Sequence, residues 1–374
     1  MTVEPTNRIV VRGYAPEDEP RVMEIIERVW GTDTRNDHAF LWKWKHELDA
    51  DRQMENNIAQ VIVIDGKIEG YSGAIPVKIK IKDQIVEGVV ILDTFTDPDS
   101  RGSGVRLMKQ QLKNVLIPFG AGNPRAKELW SRLAKKDNVI IRNAHKMVRL
   151  LDPTESLINK KIPALFAKPV GYVWRFVDGL RNIKFSKVYK ESLRLERVEE
   201  FSQAIDELLN EFSRDFKFIV IRNHDYLNWR YVSCPFQYEK WILRNGAKPV
   251  GYMVFRAGVL NNRKTMILSE MMAIGQKEQY YNVMLLKLHE VASECGVSDI
   301  QTINTGCNVF ERVLKKNGYY FKKEPLPMIG QLNHNLISDY DLYSGEDLYL
   351  SIGDADYEFI FFKQGVNSII RSTN

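Results

Sequence analysis

A phosphate or diphosphate is the ligand that the residues from Ile91 to Arg106 are suited to hold. Val89 to Phe95 is an apolar, β-branched run that reads as a buried strand, and Pro98 ends it. Arg101-Gly102-Ser103-Gly104 follows. Val105 to Leu116 then reads as a helix, with Leu107, Met108, Gln111, Leu112 and Val115 at helical spacing. A strand that turns through glycines into a helix leaves backbone N–H groups at the positive end of the helix dipole, where an anion is the natural partner. Gly102 and Gly104 let the backbone approach that anion, Arg101 supplies a two-pronged cationic donor, and Arg106 adds charge. The chain offers no paired metal-ligand spacing, no hydrolase elbow and no ATP phosphate loop.

The elements that must position this turn follow from the pattern on either side. Ile9 to Arg12 reads as a first strand, and Ala15-Pro16-Glu17-Asp18-Glu19 as an acidic helix start. An amphipathic helix through Val22, Ile25, Ile26 and Val29 comes next. His38 to His46 is a dense aromatic patch. Val61 to Ile64, the turn Asp65-Gly66 and Ile68 to Ile75 predict a hairpin, with Val77 to Ile81 and Ile85 to Phe95 continuing the sheet. After the glycine turn and its helix, Val115 to Phe119 reads as a strand. Pro124 opens a helix over Arg125 to Leu133, and Val139 to Leu150 closes the unit.

Arg101-x-x-Gly104, set in this order of elements, resembles the pyrophosphate loop of the GNAT superfamily of acyl-CoA N-acyltransferases. Arg106 stands where the family has Gly or Ala. Phe119-Gly120-x-Gly122-Asn123-x-x-Ala126 resembles the stretch after the fifth GNAT strand, where Asn and Ala open a helix beside the CoA tail. The resemblance implies an α/β fold with a mixed sheet. It also implies coenzyme A or acyl-CoA as co-substrate, with no metal. Its contacts would be Arg101, Gly102, Ser103, Gly104, Val105, Arg106 and Asn123, with backbone contacts from Phe95 and Thr96. Trp130 stands where many members carry a tyrosine acid, so the leaving thiolate would take its proton from the amine or from water. An ammonium acceptor must lose a proton, and Asp93, His46 and Glu270 are the candidate bases, directly or through water. Asp93 is otherwise an acceptor at a strand bulge, and positioning without any side-chain base is a third option. Trp44 and Tyr231 either pack in the core or line a sugar or base pocket, with Glu270 on the acceptor side.

The second half repeats the first. Leu227 lies 186 residues after Leu41, Gly251 lies 181 after Gly70, and Asn308 lies 185 after Asn123, in unchanged order. Where the first half has Ser100 to Gly104, the second has Gly275-Gln-Lys-Glu-Gln-Tyr-Tyr, which cannot cradle a diphosphate. The expected organisation is therefore two tandem GNAT-like domains. Residues 1–151 would bind acyl-CoA, 152–192 would connect, and 193–374 would shape the acceptor site. Ile162 to Leu180, apolar but broken by charges, is either a packed bridging helix or a membrane-surface segment.

Composition fits an ordinary soluble chain: 374 residues, 44% hydrophobic, 27% charged, net charge +5. Three unpaired-looking cysteines and no signal-like N-terminus point to a cytoplasmic setting, and no apolar run is long enough for membrane insertion. Nucleic acid is not an expected partner. The two-domain layout, with Trp-Arg-Tyr at 229–231 and Asp354-Ala-Asp356 late in the chain, resembles sugar N-acyltransferases of bacterial surface-polysaccharide biosynthesis, of the type that transfers 3-hydroxybutanoyl to dTDP-3-amino-3,6-dideoxyhexose. That resemblance implies a nucleotide-linked amino sugar as acceptor. The alternatives are an aminoacyl or peptidoglycan-bridge transferase, and a non-catalytic acyl-CoA-binding protein.

Overall fold

The computed structural model describes residues 8–46, 59–100, 102–114, 118–121, 139–186, 192–260, 263–304, 308–322, 326–331 and 348–354. Arg101, Asn123 and Trp130 lie outside these residues, as do the helix expected over 125–133 and Asp356.

The first half runs β1 (Ile9–Gly13), α1 (Glu19–Trp30), α2 (Thr32–His46), β2 (Gln60–Ile64), β3 (Lys67–Ile81), β4 (Gln84–Thr96), α3 (Ser103–Asn114) and β5 (Pro118–Ala121). Then come β6 (Val139–Leu150), α4 (Thr154–Asn159) and α5 (Ala164–Ser186). The second half runs β7 (Leu193–Arg197), α6 (Asp206–Ser213), β8 (Phe218–Val220), α7 (His224–Tyr231), β9 (Glu239–Asn245), β10 (Lys248–Leu260), β11 (Arg263–Ala273), α8 (Glu278–Glu294), β12 (Asp299–Asn304), α9 (Asn308–Lys316), β13 (Tyr320–Phe321), β14 (Leu326–Gln331) and β15 (Leu348–Tyr349).

The strand pairings of the first half recur in the second, although β8 has no counterpart between α1 and α2. β1 pairs antiparallel with β2 as β7 does with β9. The hairpin β2–β3 slips register after Ile62, and β9–β10 slips between Pro249 and Gly251. β4 pairs parallel with β5, and β11 with β12. Each parallel pair is joined by a crossover helix, α3 or α8, as such pairs require.

Two expectations change, and one stretch read only as aromatic gains an element. β3 is one continuous strand, passing through Pro76 without a break after Ile75. The aromatic patch from His38 to His46 is the second half of the helix α2. And Val139 to Leu150 is divided: 139–142 stay with the first unit, while His145 to Leu150 pair with Asn304 to Asp299 of β12. In return, Met328 to Gly330 of β14, late in the chain, pair with Phe119 to Ala121 of β5. The compact units reflect this exchange. One comprises 1–79, 85–142 and 327–340, and the other 80–84, 143–326 and 341–374.

The core of the first unit gathers Val22, Met23, Ile25 and Ile26 of α1 with Tyr14, Trp42, Val61, Tyr71 and Phe95. The spacing of the α1 residues makes one apolar stripe, which packs on the sheet that carries β4.

Candidate active site

Within the first unit, β4 meets β5 only at Val89–Pro118 and Val90–Phe119. From Ile91 to Thr96 it runs on without a β5 partner among the described residues. Two parallel strands that part toward their C-terminal ends open a wedge edged with backbone N–H and C=O groups, the place where open α/β sheets bind ligands. The opposite edge of β4, toward β3, is close-packed. A Cβ added to Gly70 of β3 would fall 2.9 Å from the Phe95 carbonyl oxygen and 2.8 Å from Thr96 Cγ2, so only glycine lets β3 approach the end of β4.

The turn from β4 into α3 is held by charge. Asp97, fully buried, accepts hydrogen bonds from Arg21 at 2.9 Å and from Arg28, and receives the Asp99 N–H at 3.0 Å. Burial opposes ionisation of Asp97 most strongly. The Asp99 amide and the two arginines outweigh it and hold the carboxyl below its usual range. Ser100 Oγ donates to Glu69 at 2.7 Å, and the Asp97 N–H donates to the Glu69 carbonyl at 2.8 Å. Gly102 then takes φ +95°, with no atom within 4 Å of where a Cβ would stand. Ser103 N–H and Oγ both donate to the Ser100 carbonyl, at 3.2 and 2.7 Å, and α3 begins. Helix α3 therefore starts two residues earlier than its apolar spacing predicts. Ser103, Gly104, Val105 and Arg106 are its first turn, with Gly102 and Arg106 exposed. The open space at Gly102, just ahead of the first turn of α3, suits an anion.

Arg21, Arg28, Asp97 and Gly70 were not among the residues read from sequence as functional. Arg21 and Arg28 stand seven apart, two turns along one face of α1, which is the signal that could have paired them.

Below the wedge sits a buried cluster. Asp93 adopts φ +45° within β4, a left-handed residue in a strand, and Leu92 and Asp93 are both buried, which breaks the in–out alternation. Its carboxylate is ion-paired with Lys45 of α2, itself buried, and lies 3.8 Å from His38 Nδ1. Burial is the largest influence on Asp93 and favours the acid, but Lys45 and then His38 overcome it, leaving the carboxylate ionised with a lowered pKa. His38 stacks on Trp30 with ring centroids 5.7 Å apart, and burial lowers its pKa. His46 is pushed down to about 4, first by burial and then by Lys45. It stacks on Tyr14 at 4.6 Å, and its Nε2 lies 2.9 Å from Tyr71 Oη. Burial raises the Tyr71 pKa well above its ordinary value, so the phenol stays protonated and shares a hydrogen bond with a neutral His46. Asp93 and His46 are thus in one cluster, both unprotonated at neutral pH and both weakly basic. Trp44 lies buried in the same unit.

Glu270 and Tyr231 belong to the second unit. Glu270, on β11, accepts from Tyr252 Oη, from Arg222 Nε at 3.0 Å and from Ser351 Oγ at 3.2 Å. Arg222 also holds Asp354 at 2.5 Å, and Asp354 receives the Ser351 N–H at 2.8 Å. Burial, reinforced by Glu270 and opposed by Arg222, raises the Asp354 pKa. The pairing of β15 with β8 delivers this late segment to Arg222. Tyr231 is buried under it: a Cβ on Gly353 would lie 2.0 Å from its hydroxyl oxygen and 2.6 Å from Glu270 Oε1. Among the described residues no group of His, Cys, Asp and Glu could hold a metal.

No protein-family model matches the sequence, and none of the curated proteins matches it. Solved structures do match. A GCN5-related N-acetyltransferase from Anabaena variabilis superposes with a TM-score of 0.57 at 12% identity, over 86% of this chain and 72% of that one. The chain has the GNAT fold. A protein from Enterococcus faecalis described as a probable N-acyltransferase superposes at 0.56, with 12% identity over 88% of this chain and 73% of its own. The Saccharomyces cerevisiae N-myristoyltransferase, solved with bound myristoyl-CoA, gives 0.53 at 10% identity over 88% and 80%. At such identities the likeness establishes the fold.

Proposed function

We propose that this chain is an acyl-CoA-dependent N-acyltransferase. The observation that carries the reading is the wedge past Val90, continued by the Asp97-clamped turn through Gly102 into the first turn of α3. In this reading the diphosphate of the carrier lies against Gly102 and the N-terminal end of α3, Ser103 to Arg106, with Arg101 and Asn123 completing its site. The pantetheine lies along the free edge of β4 at Phe95 and Thr96, which would orient the thioester carbonyl. The neutral amine attacks that carbonyl, the C–S bond breaks, and the thiolate takes up the proton released by the amine. The second unit, without a glycine turn, shapes the acceptor side.

Asp93 and His46 are proposed as the proton-accepting end of the site, through water. Since both are weak bases in this setting, most of the rate must come from positioning. Trp44 is assigned to the acceptor side within the first unit, and Tyr231 and Glu270 within the second. A nucleotide-linked amino-deoxy sugar is the proposed acceptor, on the strength of the sequence resemblance and of the two-unit layout.

A free-thiol assay with a panel of acyl-CoAs against amino-sugar nucleotides, simple amines and aminoacyl-tRNA tests the proposal. Thiol release that depends on an amino-sugar nucleotide is the expected result. CoA binding without turnover of any amine would instead favour the non-catalytic reading.

A further inference from the structure

Among the described residues, α5 carries a long apolar surface that no other described element covers. Ala167, Gly171 and Trp174, spaced by four and three residues, form the stripe that faces the protein. The fit is close: a Cβ on Gly171 would lie 2.0 Å from Thr154 Oγ1, and Trp174 Nε1 donates to the Leu150 carbonyl at 2.8 Å. The opposite side of the helix is where polar residues belong in a soluble protein, yet it carries Leu165, Phe166, Tyr172, Val173 and Phe176, each between 64 and 77% exposed. Lys168 and Arg175 fall between the two faces, at the edge of the apolar strip, and Arg175 lies over the Tyr172 ring at 4.7 Å.

Charge says what covers this surface. From Ser156 to Lys190 the sequence holds eight Lys and Arg residues and one acid, Asp178, a net of +7. The whole chain totals +5, so everything outside this segment sums to −2. Among the described residues Lys160, Lys161 and Lys168 are exposed beside the apolar strip. Aromatic and aliphatic side chains projecting outward, flanked by cations, match the interface of an anionic bilayer, with rings at the headgroup level and long basic side chains reaching lipid phosphates. A second copy of the chain fits poorly. A two-fold contact through this helix would set two +7 segments against each other. No helix of the described residues is long and apolar enough to cross a membrane.

We infer that α5 is a peripheral membrane-docking helix that lies in the plane of an anionic lipid surface, inserting Leu165, Phe166, Tyr172, Val173 and Phe176 between headgroups. This does not depend on the acyltransferase reading. The full-length protein is sedimented with phosphatidylcholine vesicles with and without phosphatidylglycerol, at low and high salt. Binding to the mixed vesicles is expected, weaker by about tenfold on pure phosphatidylcholine and at high salt. The triple variant Phe166→Ser, Val173→Ser, Phe176→Ser should lose binding at an unchanged melting temperature, since these side chains support nothing inside. Lys160→Glu with Lys161→Glu should weaken binding to the mixed vesicles alone. No binding to the mixed vesicles, or equal binding by the Ser variant, would overturn the assignment. So would a wild-type dimer that the Ser variant dissolves, because that outcome gives the face to a second copy.

Discussion

Asp93 is bound into the structure before it is available to chemistry. Its left-handed backbone and its ion pair with Lys45 are both buried. Asp93→Asn leaves an ammonium without its counter-charge, and removing one member of such a pair costs about 3–5 kcal/mol. Pairing the substitution with Lys45→Met should return most of that stability. If Asp93 acts only as a staple, the double variant also recovers activity with an unchanged pH profile; a base would leave it inactive. His46 makes the opposite kind of contribution. Its pKa is about 4 in the fold and near 6.5 when unfolded, so the unfolded chain binds more protons between those values and stability falls as pH drops through that window. The loss between about pH 7 and 5 is about 2 kcal/mol. His46→Gln, which still hydrogen-bonds Tyr71, should remove that part of the dependence in urea titrations at the two pH values.

At the level of elements, the proposed function rests on the join between β4 and α3. Gly102→Val forces a β-branched residue to φ +95°, and Gly104→Val adds bulk where a Cβ already lies 3.3 Å from Thr96 Cγ2. Together they should weaken CoA binding at least tenfold by calorimetric titration, while the sheet melts as before. Asp97→Asn acts one step removed. It touches no ligand, but it takes the charge from between Arg21 and Arg28 and loosens the turn. Faster hydrogen exchange over residues 97–105, with CoA affinity down several-fold, is the expected pattern. Unchanged exchange with lost affinity would mean that Asp97 acts on the ligand itself.

For the whole molecule, the exchange of β6 and β14 makes the two halves poor independent proteins. A fragment ending at residue 151 leaves β5 without β14, and one starting at 193 leaves β12 without β6. Open edges of this kind invite aggregation. Each fragment expressed alone should be insoluble or molten by near-ultraviolet dichroism, and co-expression of 1–190 with 191–374 should restore a soluble complex. A well-folded 1–151 fragment would show that β14 is dispensable.

Much of this protein was legible in its residues because the signals were local. The apolar, β-branched run from Val89 to Phe95, the glycines at 102 and 104 and the apolar stripe of α1 each act within a few residues of themselves, and the repeat offset follows from duplication of those local patterns. Three other features depended on partners far away in sequence. Asp93 meets Lys45 across 48 residues, Arg222 meets Asp354 across 132, and β5 takes β14 as its neighbour. Nothing near Val139 to Leu150 says which sheet it joins, since its side chains would satisfy either. Nor does the apolar content of α5 reveal that Ala167, Gly171 and Trp174 face inward while Leu165, Phe166, Tyr172, Val173 and Phe176 face outward. Spacing determines what an element is, but burial and pairing depend on which surfaces remain free once the rest of the chain has packed, and only the tertiary structure decides that.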